Sequence, residues 1–171
     1  QYDPSLLFTL PRQIQRESLN ISSALPFHGF DHWTCYELSW LNAKGKPQVA
    51  IGHFSIPCDS SHLIESKSFK LYLNSLNNTH FNSLSEVEDR LQHDLSTAAK
   101  GDILLSIEPV ESAPPAMDLS QWQSLDHHDI HCHEYHPNPH LLSTGSTLIH
   151  EKLYSNLLKS NCPVTGQPDW A

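Results

Sequence analysis

The apolar residues of this chain change period partway along it, and that change limits the fold more than any other feature. Residues 33–42 alternate, with Thr34, Tyr36, Leu38 and Trp40 expected on one face of a half-buried strand. Ala43-Lys44-Gly45-Lys46 supplies a turn, and Gln48–Ile56 reads as the returning strand of a hairpin. Beyond it the spacing becomes helical: Phe69, Tyr72, Leu73 and Leu76 fall at i, i+3, i+4 and i+7. Ser85-Glu86-Val87-Glu88 reads as a capping box opening a second helix. Val87, Leu91, Leu95 and Ala98 form its stripe, and Gly101 is expected just past its end. Residues 102–108 and 129–135 are predicted strands, separated by a proline-bearing irregular crossing at 109–125. The order β-β-α-α-β-β argues for an α+β fold: an antiparallel sheet with two helices on one face. Residues 1–32, with Pro4, Pro11 and Pro26, read as a loop-rich opening.

The chain has 171 residues, 38% hydrophobic and 17% charged, which fits an ordinary globular domain. No apolar run approaches a membrane span and no signal-peptide pattern opens the chain, so no membrane partner is expected. A net charge of −9 with ten basic residues argues against a nucleic-acid surface. Cys35, Cys58, Cys132 and Cys162 follow no zinc or redox spacing and read as free thiols in a reducing cytoplasm.

Residues 160–169, Ser-Asn-Cys-Pro-Val-Thr-Gly-Gln-Pro-Asp, put a thiol and a carboxyl at the two ends of a turn punctuated by Pro163, Gly166 and Pro168. A thiolate is a nucleophile, and a neighbouring acid can protonate what it attacks. The plain alternative is a small buried hydrophobe, Cys162, and a turn-former, Asp169. A second candidate is the histidine cluster. His127, His128, His131, Cys132, His133, His136 and His140 lie close together, and His131 and His133 would share a strand face as a metal pair. Polar alternation on an exposed strand is the favoured reading, because the spacing fits no zinc motif, and no metal site is assigned.

Two segments together carry a resemblance. Glu65-Ser66-Lys67-Ser68-Phe69-Lys70-Leu71-Tyr72 and Cys162-Pro163-Val164-Thr165-Gly166-Gln167-Pro168-Asp169 closely resemble the signature and active-site motifs of the NADPH-dependent 7-cyano-7-deazaguanine reductases, the QueF nitrile reductases of queuosine biosynthesis. Leu25-Pro26-Phe27-His28-Gly29, Tyr36-Glu37-Leu38-Ser39-Trp40-Leu41-Asn42 and Leu157-Leu158-Lys159-Ser160-Asn161 extend the match. The resemblance implies the tunnelling fold, whose sheets join side by side into barrels, and hence a homo-oligomer. It implies reduction of a nitrile to a primary amine by two NADPH, on a free base before that base enters tRNA. Cys162 is then the nucleophile that forms a covalent thioimide, and Asp169 the proton donor. Glu65, with Ser66 beside it, would hold the guanine-like edge, since a carboxylate matches two adjacent N–H donors. Ser66, Lys67, Ser68 and Lys70 would bind NADPH. Two cations at a helix N-terminus suit phosphate, although two helix lysines are also a common solvated face.

The order of the motifs resembles the two-domain members, where the first copy of the fold keeps the Glu-Ser-Lys motif and the second the cysteine. This reading divides the chain into residues 1–32, a first copy at 33–140 and the start of a second at 141–171. It implies a C-terminal truncation, and a natural start that is also missing, since residue 1 is not Met. The family's Phe-His-Glu substrate triplet reads Phe81-Asn82-Ser83 here, so its His and Glu are expected in the remaining second copy. Within 147–161, Leu148, Ile149, Leu153, Tyr154, Leu157 and Leu158 suit an amphipathic helix, whereas the resemblance implies a strand. A strand is expected. The competing functions are a non-catalytic metal- or purine-binding module of the same fold that uses the histidine cluster, and a pterin- or purine-binding enzyme of other chemistry.

Overall fold

The computed structural model describes residues 1–21, 24–112, 117–135, 138–162 and 165–170, and the side chains of all but Asp169 and Trp170. The chain forms two compact units, Gln1–Pro114 and Pro115–Ala171.

The first unit is a mixed α+β structure. In chain order it contains β1 (Thr9–Pro11), α1 (Arg12–Ser18), β2 (Phe30–Asn42), β3 (Pro47–Pro57), β4 (His62–Ile64), α2 (Ser66–Ser75), β5 (His80–Phe81), α3 (Leu84–Ala99) and β6 (Leu104–Pro109). The main sheet has the order β5-β2-β3-β6. Strands β2, β3 and β6 are antiparallel, and β5 adds a short parallel pairing to β2 at Leu41 and Asn42. The expected hairpin is therefore present, and so is the third strand.

One feature of β2 overturns the simple alternation. Cys35 pairs with Gly52 but Leu38 pairs with Ala50, so Tyr36 and Glu37 together oppose the single residue Ile51. This two-against-one bulge shifts the side-chain phase. Leu38 and Trp40 are buried as expected, but before the bulge Trp33 and Cys35 face the core instead of Thr34 and Tyr36. Tyr36 is 73% exposed.

The helices cover the sheet face carrying Leu38, Ala50, Phe54, Ile56 and Ile107. Phe69, Tyr72, Leu73 and Leu76 from α2 and Val87, Leu91 and Leu95 from α3 complete that core, as their spacing predicted. Each fully buried side chain of this size contributes about 1.5–3 kcal/mol. The start of α3 lies two residues earlier than expected. Ser83 is the N-cap, its hydroxyl accepts the Glu86 amide, and the Glu86 carboxylate accepts the Asn82 amide. The left-handed residue ending α3 is Lys100, with φ 52°, in place of Gly101. Gly101 is needed for another reason: a Cβ there would lie 2.8 Å from Ser60 Cβ.

The opening residues, expected to be loop-rich, include α1 and are stitched to the helices. Strand β1 pairs with β4. The hydroxyls of Tyr2 and Tyr72 both donate to Asp94 Oδ2, at 2.5 and 2.7 Å, and the Arg90 guanidinium lies 5.2 Å from the centre of the Tyr2 ring. Burial, reinforced by the Asp94 carboxylate, pushes both phenols above their ordinary pKa, that of Tyr72 far above it.

The second unit has a sparser frame: β7 (Gln123–Ser124) parallel to β8 (Leu153–Tyr154), and β9 (Lys159–Asn161) antiparallel to β10 (Pro168–Trp170). Asp126 braces the first pair by accepting the Ser155 hydroxyl at 2.6 Å and the Asn156 amide at 3.0 Å. The strand at 129–135 is absent. Ile130 and Tyr135 are 70% and 82% exposed, so the polar segment has no apolar face to pay for a ladder. The helical stripe of 147–161 also lost, since the segment forms β8 and β9 and no helix.

Candidate functional site

Helix α2 begins at Glu65, which has the extended backbone of an N-cap. Its carboxylate accepts the amides of Lys67 at 2.9 Å and Ser68 at 2.7 Å. Glutamate is not among the favoured N-cap residues, so this position breaks a local rule, as functional positions often do. Partial burial pushes the carboxyl up, but the two amides and the Ser66 hydroxyl outweigh it and hold the pKa below the ordinary range. The group is thus fixed and ionised. A carboxylate offers about four acceptor positions; the two capping amides take two, and the Ser66 hydroxyl reaches a third only at 3.5 Å, a contact long enough for a ligand to displace.

The other signature residues divide. Ser68 is buried: its hydroxyl donates to the Glu65 carbonyl at 2.7 Å and accepts the Phe8 amide at 3.0 Å, which anchors the N-terminal segment. Lys67 is exposed. Ser66 and Lys70 line a cavity of about 280 Å³ between α2 and the bulged part of β2. Trp33 and Phe69 form its aromatic floor, ring centres 5.8 Å apart and nearly perpendicular. Cys35 also lines it; burial pushes that thiol up, against the opposing pull of the Glu37 amide and Lys70, so it is a poor nucleophile. The sequence reading missed Trp33, Cys35, Tyr36 and Glu37 as lining residues. The clue was the phase slip between the Trp33/Cys35 and Leu38/Trp40 pairs.

A dinucleotide phosphate is tested by the same geometry. Lys67, Lys70 and the Ser66 hydroxyl fit phosphate oxygens in charge and donor type. The helix terminus does not, because Glu65 already holds the amides of Lys67 and Ser68. The cations, without the helix end, would carry that contact.

In the second unit the Cys162 amide donates to the Gln167 carbonyl and the Gly166 amide to the Cys162 carbonyl, both at 2.8 Å. Gly166, at φ +69°, takes the left-handed conformation this reversal requires. The turn continues into the β9–β10 ladder, where Asp169 stands opposite Ser160. Residues 162 and 169 therefore occupy diagonal positions, about 7–8 Å apart in such ladders. The Asp169 side chain, Pro163 and Val164 lie outside the described residues. Cys162 is partly buried, and the four cysteines are thiols.

The rings of His131 and His133 do meet, stacked with centres 6.0 Å apart, although no strand carries them. Among the described residues no three His, Cys, Asp or Glu side chains converge as a metal site; His136 lies outside them. Among the described residues, no helix is long and apolar enough to cross a membrane.

Residues 1–107 match the family model described as nitrile reductase, 7-cyano-7-deazaguanine-reductase N-term. An NADPH-dependent 7-cyano-7-deazaguanine reductase of Dechloromonas aromatica (strain RCB) is 51% identical over 173 residues, covering 99% of this chain and 61% of that protein. The reductase of that name from Albidiferax ferrireducens is 48% identical over 188 residues, covering 100% and 65%. One from Coxiella burnetii (strain CbuK_Q154) is 49% identical over 172 residues, covering 99% and 62%. The chain thus spans 61–65% of the length of these relatives. With a family model matched over more than half its residues and relatives near 50% identity along its whole length, the chain belongs to the nitrile reductase family that the 7-cyano-7-deazaguanine reductases define.

Proposed function

We propose that this chain serves as an NADPH-dependent reductase of 7-cyano-7-deazaguanine, an oxidoreductase acting in the cytoplasm in queuosine biosynthesis. The observation that carries the reading is the reach of the match. It takes in the whole chain and so includes both Glu65–Tyr72 and Cys162–Asp169.

The reading assigns recognition to the first unit and bond-making to the second. Glu65, fixed and ionised by its own helix, accepts two N–H groups of the deazaguanine edge with the acceptor positions that capping leaves, and Ser66 stands beside it. Lys67 and Lys70, with the Ser66 hydroxyl, hold the phosphates of NADPH; Ser68 supports them by anchoring the first turn of α2. Cys162 Sγ, as thiolate, adds to the nitrile carbon. A C–S bond forms, one C–N π pair moves to nitrogen, and Asp169 delivers a proton there, leaving a thioimide. Bound NADPH supplies the hydrides that take this carbon to the aminomethyl group. After the first hydride the C–S bond breaks and Cys162 leaves as thiolate, giving an imine; the second hydride is matched by a second proton to nitrogen, and Asp169 regains its proton from solvent. The remaining task is exclusion of water, since an imine hydrolyses.

Residues 33–140 are read as one copy of the tunnelling fold and residues 141–171 as the start of a second, with residues 1–32 as an N-terminal addition. Such sheets close barrels by pairing between copies, so the protein is a homo-oligomer. Its partner is the free base, with no nucleic acid and no membrane. The test is intact mass after mixing with 7-cyano-7-deazaguanine without NADPH. The protein gains the mass of the base and Cys162→Ala does not; an adduct on Cys162→Ala removes this cysteine from the reading. Asp169→Asn loses about 10²–10⁴ in rate, and unchanged turnover sinks its role as donor.

A further inference from the structure

Three hydrogen bonds tie Phe8 to the residue that opens α2. The Glu65 amide donates to the Phe8 carbonyl at 2.9 Å. The Phe8 amide donates to the Ser68 hydroxyl at 3.0 Å, and that hydroxyl donates to the Glu65 carbonyl at 2.7 Å. Both main-chain polar groups of Glu65 are thus held through Phe8. The register agrees: Thr9 pairs with Ile64, so Phe8 stands opposite Glu65 at the end of the β1–β4 ladder. Ser68 is 6% exposed, and a hydroxyl at that depth is costly to leave unpaired.

The other end of the same segment is fastened to the far end of α2. The Tyr2 amide donates to Thr79 Oγ1 at 3.2 Å, and the Asp3 amide donates to Ser75 Oγ at 3.1 Å. The Tyr2 hydroxyl donates to Asp94, a carboxylate only 8% exposed. Residues 2–8 therefore run beside α2 from its last turn to its first. Apolar packing alone would hold the rings of Tyr2 and Tyr72 together. The buried carboxylate adds direction, because both hydroxyls must point at one oxygen.

We infer that residues 2–8 are a positioning strap for the base site. The Asp94 clasp fixes Tyr2, the strap fixes Phe8, and Phe8 with Ser68 fixes Glu65. The physical need is local. Amides in the first turn of a helix lack partners four residues back, and helix ends fray. Glu65 presents a fixed carboxylate only while that turn is formed, and a binding group must be held to within about 0.5 Å. Tyr2, Phe8 and Ser68 act through Glu65 and are positioning residues. The inference rests on the reading of Glu65 as the acceptor of the deazaguanine edge.

Two readouts on Tyr2→Phe and Ser68→Ala test it, with Ile107→Val as a control that trims the core on β6. The first is hydrogen exchange of the Lys67 and Ser68 amides, the pair that Glu65 caps. Tyr2→Phe speeds both about fivefold or more, the scale of one lost hydrogen bond. Ile107→Val leaves both within about twofold, since the first turn exchanges by local opening. The second is calorimetry with 7-cyano-7-deazaguanine in a Cys162→Ala background, where binding is reversible. Tyr2→Phe weakens the base about five- to tenfold and Ser68→Ala about tenfold or more. A purely structural clasp would lower the melting temperature of Tyr2→Phe as the control lowers it, and leave affinity and these two amides unchanged; that result overturns the inference. Exchange needs no ligand, so wild-type protection of the two amides in Tyr2→Phe overturns it alone. If Glu65→Gln leaves base affinity unchanged, the reading of Glu65 falls, and the strap's role in binding with it.

Discussion

The two units of this chain handle apolar residues in opposite ways. In Gln1–Pro114, side chains such as Leu38, Tyr72, Leu91 and Leu95 are at most 1% exposed and form one cluster between sheet and helices. In Pro115–Ala171 no described residue is buried; Leu142 and Leu148 are 82% and 85% exposed. The first unit has the burial that offsets the entropy of ordering a chain. The second is held by short ladders and by hydrogen bonds such as those to Asp126. Recognition is assigned to the rigid part, where a ligand must be matched in shape, and the nucleophile to a glycine turn.

The contrast is broken or sharpened first by truncating one leucine in each unit. Leu91→Ala costs about 2–5 kcal/mol, because a large buried side chain leaves a cavity. Leu148→Ala stays within about 0.5 kcal/mol, as exposed substitutions do. Denaturant titration of each variant reads both values, and comparable losses would abolish the distinction between the units.

Much of the first unit was legible because its period matched its burial. Phe69, Tyr72, Leu73 and Leu76 lie where their spacing put them. The bulge was not, because alternation across Thr34, Tyr36, Leu38 and Trp40 looked continuous, while the register gained one residue between Cys35 and Leu38. In the second unit local pattern failed in both directions. Leu148–Leu158 has helical spacing without a helix, and 129–135 alternates without a strand, since neither has a surface to pack on. Of the candidate site, the residues of α2 were legible as a group. That Glu65 would cap its own helix was not, since glutamate is a rare choice there.

A smaller effect is expected at the clasp between the N-terminal segment and the helices. Tyr72→Phe removes one donor to Asp94 and costs about 0.5–1.5 kcal/mol. It also changes the alkaline limb. Both phenols have raised folded pKa values, so their contribution is complete below the unfolded tyrosine pKa of about 10 and is lost as pH rises above it. Tyr72→Phe makes that decline shallower in a stability-against-pH series; an unchanged slope would mean that the phenol does not titrate with unfolding.

Smaller again is the cap. Glu65→Ala costs about 1 kcal/mol at neutral pH. The Glu65 pKa is depressed on folding, so its contribution is present above the unfolded carboxyl pKa, about 4.3, and is lost as pH falls through the lower folded value. Thermal melts of Glu65→Gln between neutral and acid pH check this: the variant lacks that part of the acid decline, and a decline equal to wild type would deny the cap its charge.

The division of labour between the units is tested most directly by measuring reversible binding and covalent capture of 7-cyano-7-deazaguanine on the same samples of wild type, Cys162→Ala and Glu65→Gln. The account predicts that Cys162→Ala binds the base without capturing it. It predicts that Glu65→Gln neither binds nor captures the base, while its Cys162 is still alkylated by iodoacetamide. Capture by Glu65→Gln at the wild-type rate and affinity would contradict it.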